Sequence, residues 1–129
     1  MGFWFTMLII TLLIPILMLS IGFAFKHKAP SKINPLLGYR TRRSMKSMEA
    51  WKFAHKLCGY IWIFAGAFLF DVTVLTMLLV INKGEGAIQT ASLVLLYSGI
   101  GVIILSIIPV EIALKRTFDE NGNRKSPKN

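Results

Sequence analysis

The stretch that decides the fold is LCGYIWIFAGAFLFDVTVLTMLLVI, residues 57–81. It runs for 25 residues and carries one charged side chain, Asp71. As a helix rising about 1.5 Å per residue, it more than crosses a hydrocarbon core of roughly 30 Å. Two similar runs flank it. Residues 3–25 form a stretch of 23 without a charge, and residues 88–110 form another of 23. The sequence therefore predicts an all-α integral membrane protein with three transmembrane helices, built as a single membrane domain over residues 1–129. Composition agrees: hydrophobic residues make up 54% of the chain and charged residues 16%, against about 25% charged in soluble domains. A disordered tail, a disulfide scaffold and an ordinary soluble enzyme are excluded. The first run is read as an uncleaved span. No Lys or Arg precedes it, it is long for a signal peptide, and no clear cleavage site follows.

The basic residues sort by segment. Nine lie in the loop of residues 26–56: Lys26, Lys28, Lys32, Arg40, Arg42, Arg43, Lys46, Lys52 and Lys56. Five lie in the tail, residues 111–129, and one, Lys83, in the short Gly-rich link between spans two and three. The positive-inside rule then places loop and C-terminus in the cytoplasm and the N-terminus outside. In a bacterium this is the plasma membrane. The net charge of +9 fits attraction to anionic lipid. Direct nucleic-acid binding is not expected, because nothing resembles a helix-turn-helix and aromatic residues are sparse in the basic loop.

Several side chains in the spans invite a reading. Pro15 cannot donate to the carbonyl of Thr11, so a kink is expected there. Gly59, Gly66 and Thr73 recur every seven residues, as do Ser92, Gly99 and Ser106. Small residues on one face let helix backbones approach in lipid. These two faces are expected to meet each other or symmetry mates. Trp4, Tyr60, Trp62 and Tyr97 are candidate interfacial anchors, with Trp62 placed to pack instead. Asp71 lies near the middle of the second span, where insertion of an Asp costs about 2.5–3.5 kcal/mol. It should face a protein interior or a wet cavity. Its expected partners are Thr73, Thr76, Ser92, Tyr97 or Ser98. It is either an interhelix clamp or a site for a proton or cation. Glu111 is expected to pair with Lys115 one turn on.

The loop carries the specific signal. Pro30, Asn34-Pro35 and Gly38 are turn formers, and Ser44 is placed to cap a helix starting at Met45. Met48, Trp51, His55 and Cys58 then share one face, so the segment reads as an amphipathic helix leading into the second span. No catalytic, cofactor or metal site is expected, since His27 and His55 have no partners at ligand or triad spacing.

Three blocks of this loop, residues 33–41, 44–47 and 49–59, resemble the signature of the SdpI family. The matching positions are Asn34, Gly38, Tyr39, Arg40, Thr41, Ser44, Glu49, Trp51 and His55. Arg42 stands where that family often has proline. The resemblance implies a bacterial plasma-membrane protein. It implies immunity to a secreted, membrane-active peptide toxin, with signalling by sequestering a cytoplasmic transcriptional regulator. Two alternatives stand beside it: a small oligomeric transporter or channel using Asp71, or a lipid-binding scaffold. On physical grounds Gly38 is expected to supply a turn with positive φ. Arg40 is expected to bind a lipid phosphate, a helix C-terminus or Glu49. Trp51 and His55 are expected to pack the loop onto the bundle.

Overall fold

A computed structural model describes residues 2–27 and 41–125. Four helices are formed: α1 (Gly2–His27), α2 (Met48–Leu79), α3 (Glu85–Leu105) and α4 (Ile107–Thr117). α1, α2 and the α3–α4 pair are each long and apolar enough to cross a membrane. The three expected spans are therefore present, and the chain is a multi-pass membrane protein. The second helix starts well before residue 57, so the helix-prone loop segment runs straight into the span. The link to α3 turns at Gly84, which adopts φ +93°.

The kink expected at Pro15 brings no break in the helix. α1 runs unbroken through buried Pro15. The helix breaks instead at Ser106, between α3 and α4. Pro109 explains this: it has no N–H for the Leu105 carbonyl, and its ring crowds that turn. The Ser106 hydroxyl donates to the Ile103 carbonyl at 2.6 Å and accepts from the Trp62 indole at 2.9 Å. The break is thus pinned to α2.

α1 packs mainly against α2 and also touches α3. This corrects the expected meeting of the two small-residue rows. A Cβ on Gly59 would lie 2.6 Å from the Lys26 amide nitrogen and 2.7 Å from the Gly22 carbonyl oxygen. Gly66 faces Met18 and Leu19, and Gly99 faces Ile14. Both rows thus turn glycines toward α1. Lipid tails are as apolar as leucine, so backbone approach and dispersion must hold such helices together. α1 gains most of that contact by entering the grooves that the glycines leave.

The end of the bundle near the Gly84 turn closes on Trp4, Met77, Ile88 and Leu95. Trp4 is buried, and its indole N–H donates to the Met77 carbonyl at 2.7 Å. The backbone carbonyl of α2 offers the indole the acceptor that water would otherwise supply. Trp4→Phe should lose about 0.5–1.5 kcal/mol. The check is a lower midpoint in SDS unfolding of the detergent-solubilised protein. The opposite end, near the tail, holds a second cluster of Ala50, Ala54, Cys58, Val110, Leu114 and Phe118.

Candidate functional site

The signature residues within the described segments gather at the tail end of the bundle. Thr41 and Ser44 close a tight turn on each other. The Thr41 amide donates to the Ser44 hydroxyl at 2.9 Å, the Ser44 amide to the Thr41 hydroxyl at 3.2 Å, and the Ser44 hydroxyl to the Thr41 carbonyl at 2.9 Å. Ser44 is buried. A threonine and a serine three apart can satisfy each other's backbone in this way. The turn forms with Arg42 where proline is frequent in the family signature.

Ser44 is therefore not the helix cap, contrary to expectation. Its hydroxyl is already engaged by Thr41. Ser47 caps α2 instead, accepting from the Ala50 amide at 3.0 Å with an extended backbone. The same Ser47 hydroxyl donates to the Gly122 carbonyl at 2.6 Å. Cap and tail are thus joined through one oxygen.

Trp51 and His55 lie one turn along α2 and are both fully buried. Their rings stand 4.2 Å apart, and Phe25 of α1 meets the His55 ring edge-on at 4.7 Å. The His55 Nδ1 lies 2.7 Å from the Trp51 carbonyl oxygen. A carbonyl only accepts, so Nδ1 carries the hydrogen here. Both rings are buried; residues 34–40 of the loop they are expected to hold onto the bundle lie outside the described residues.

Sequence reasoning missed the tail. Residues 118–125 fold back as a short antiparallel turn, with Phe118 bridged to Arg124. Asp119 organises it, accepting from the Asn121 and Asn123 amides at 2.9 Å each. Phe118 is buried against Phe53, and the Arg124 guanidinium lies over the Phe118 ring. Arg124 also pairs with Glu49 at 2.5 Å. Glu49 was one of the partners expected for Arg40. Arg40, Asn34, Gly38 and Tyr39 lie outside the described residues. The signal that could have found the tail is the Asn121-Gly122 dipeptide, a turn former.

Gly122 has φ +81°. A Cβ there would also lie 2.7 Å from the Lys46 Cβ and 2.8 Å from its carbonyl carbon. Gly122→Ala is thus expected to undock the tail while leaving the spans in place. Trypsin should then cut at Arg124 and Lys125 at least about fivefold faster.

Between turn and tail lies an open cleft of about 350 Å³, lined by Arg42, Arg43, Lys46, Glu111, Asp119 and Glu120. Glu111 comes within 3.9 Å of Arg43. That ion pair, between two separate elements, replaces the one expected with Lys115. The pair is half-exposed, and its worth is small. The cleft's basic side comes from the turn and its acidic side from α4 and the tail.

Asp71 takes no part in this site. It is exposed on α2, and among the described residues no hydrogen bond or ion pair reaches it. The expectation of an interior or cavity-lining carboxylate is corrected. The reason is angular. Asp71 follows Gly66 by five residues, about 140° round the helix at 100° per residue. Gly66 is held against α1, so Asp71 turns away. Tyr97 also belongs to the exposed surface, well inside α3.

A model of the SdpI/YfhL protein family matches residues 31–113, well over half of the chain. The chain belongs to the SdpI/YfhL family. Within this SdpI-family chain the matched stretch includes the Thr41–Ser44 turn, all of α2 and α3 and the start of α4. No curated protein and no solved structure matches it.

Proposed function

We propose that this SdpI-like membrane protein gives resistance to a secreted, membrane-active peptide toxin and holds a cytoplasmic transcriptional regulator at its tail end. One observation supports this most. Thr41, Ser44, Glu49, Trp51 and His55 belong to the family signature, and they converge on one platform. The tail closes that platform, and it carries a cleft with opposed charges. A polar, rigidly capped surface beside nonpolar spans suits a docked protein better than a catalytic step. The basic loop and tail argue for a bacterial plasma membrane, with this end in the cytoplasm beside anionic lipid and the N-terminus outside. The toxin would meet the spans and the Gly84 turn from the other side.

Killing by membrane-active peptides tests the reading in a sensitive bacterium that expresses the chain. Protection should be lost with Arg40→Ala or Arg43→Glu at unchanged membrane level, and kept with Asp71→Asn. No protection against any peptide would sink the immunity reading. The transporter reading has less support, because Asp71 lies on an exposed face of the single chain and lines no path between its helices.

A further inference from the structure

The cleft between turn and tail keeps opposite charges facing each other. Arg42, Arg43 and Lys46 form one wall, and Glu111, Asp119 and Glu120 form the other. Among the described residues, the walls reach ion-pair distance only between Arg43 and Glu111, at 3.9 Å. Arg42, Lys46 and Glu120 are exposed and form no ion pair with any described residue. The backbone explains why the walls stay apart. Bonds between Thr41 and Ser44 fix the basic turn, and Asp119 fixes the acidic one through its Oδ1. The bond from Ser47 to Gly122 sets the spacing of the two frames. Between them lies about 350 Å³, within the range of sites that take small ligands.

The cleft also stands at the edge of the apolar layer. Trp4 bonds to Met77 near one end of the bundle, and Gly22 meets Gly59 near the other. The rise from Trp4 to Gly22 is about 27 Å, close to the thickness of a hydrocarbon core. Ser106 is level with Trp62, to which it bonds, three residues inside Gly59. Glu111 lies five residues back toward the tail, so it comes out at most about 3 Å beyond the Gly59 level. One turn deeper on the same face of α4, Ile108 is exposed, as are Ile104 and Leu105 at the end of α3. The acidic wall thus heads a lipid-facing stripe, at the depth where headgroups lie.

Charge and depth together name the occupant. A purely anionic headgroup meets the acidic wall as a like charge, and a lone cation meets the basic wall in the same way. A zwitterion gains on both sides. We propose that the cleft binds the headgroup of one phosphatidylethanolamine molecule. Its phosphate lies among Arg42, Arg43 and Lys46, and its ammonium turns to the carboxylates of Glu111, Asp119 and Glu120. Its acyl chains run down past Ile108 and Ile104. Arginine's planar fork matches phosphate oxygens. A primary ammonium offers three N–H donors to carboxylates, and charge on both partners strengthens each bond. The fully methylated ammonium of phosphatidylcholine has no N–H to give.

Native mass spectrometry of the full chain in dodecyl maltoside tests this. It is titrated with phosphatidylethanolamine, phosphatidylcholine and phosphatidylglycerol of identical acyl chains. Phosphatidylethanolamine should bind at least about fivefold tighter than either of the others. Glu120→Gln should weaken it at least about threefold and leave the other two no weaker, since only the ammonium contact is lost. Arg42→Gln should weaken all three, and Lys52→Gln, exposed but outside the cleft, should weaken none. A smaller preference, or one that survives Glu120→Gln, would overturn the assignment. Phosphatidylglycerol binding as tightly would reduce the cleft to ordinary attraction between basic residues and anionic lipid, and so overturn it too. Glycerophosphoethanolamine, the same headgroup without tails, separates a lipid from a soluble ligand. It should displace the lipid only above about a tenfold excess, and displacement below that would overturn the lipid as occupant. The substituted residues are exposed and lie outside both core clusters, so folding is not at stake. The assay holds neither toxin nor regulator, so its outcome is separate from that of the killing test.

Discussion

Gly59→Ala should loosen α1 from α2 and cost a net of about 2 kcal/mol. The methyl group would meet two backbone atoms, the Lys26 nitrogen at 2.6 Å and the Gly22 oxygen at 2.7 Å. Neither can rotate aside as a side-chain tip can, so a whole helix end must shift. Overpacking of this kind costs about 1–3 kcal/mol, and the backbone obstacles put it at the upper end. Alanine's better helix propensity returns up to about 1 kcal/mol. The control is Gly101→Ala, where nothing lies within 4 Å of the added methyl. It should be neutral or slightly stabilising. SDS unfolding midpoints of the two variants decide the matter. Equal midpoints would mean that the close approach of α1 and α2 carries no weight.

Trp51→Ala should have the largest effect of any single change, about 3–5 kcal/mol. Trp51 is fully buried beside His55, which is itself enclosed by Phe25. Removing the indole leaves a cavity between α1 and the first turns of α2. The Trp51 amide also donates to the carbonyl of Ser47 at 2.9 Å, and the Ser47 hydroxyl holds the tail at Gly122, so the tail should lose its seat along with the packing. Trp51→Phe fills more of the space and should lose roughly half as much. The measurement is the unfolding midpoint together with tryptic release of the tail. A Trp51→Ala protein with wild-type stability would show that the indole only borders the core.

The three spans were legible because a run of more than 20 residues with at most one charge has few other physical outcomes. The burial of Trp51 and His55 was also legible, since helical spacing puts them on one face with Cys58. Other features depended on partners far away in the chain. An aromatic residue near a span end reads as an interfacial anchor, yet Trp4 finds a carbonyl on α2, 73 positions on. Ser44 and Ser47 both precede a helix-prone run, and only the claim of Thr41 on Ser44 decides which one caps. Asp71 is a different case. The row Gly59, Gly66, Thr73 already marked the packed face of α2, and Asp71 stands about 140° from Gly66 on the same helix wheel. Its outward direction was available from the sequence once that row was given to α1. The tail offers no periodicity to read, and its one local signal, Asn121-Gly122, marks a turn without saying what the turn docks against. The roles of Asn34, Gly38, Tyr39 and Arg40 fall outside the described residues.

The position of α1 has one more consequence. The matched stretch begins at residue 31 and the signature at residue 33, both after α1 has ended. Yet Gly59, Gly66 and Gly99, all within that stretch, are grooves filled by Gly22, Met18, Leu19 and Ile14. The hallmark part of the chain is therefore a socket, and the first helix is the plug that fits it. In this chain the plug comes from the same polypeptide. What the socket asks of it is only a contour: a small residue opposite Gly59 and side chains shaped to Gly66 and Gly99. That leaves the sequence of the plug free to change elsewhere.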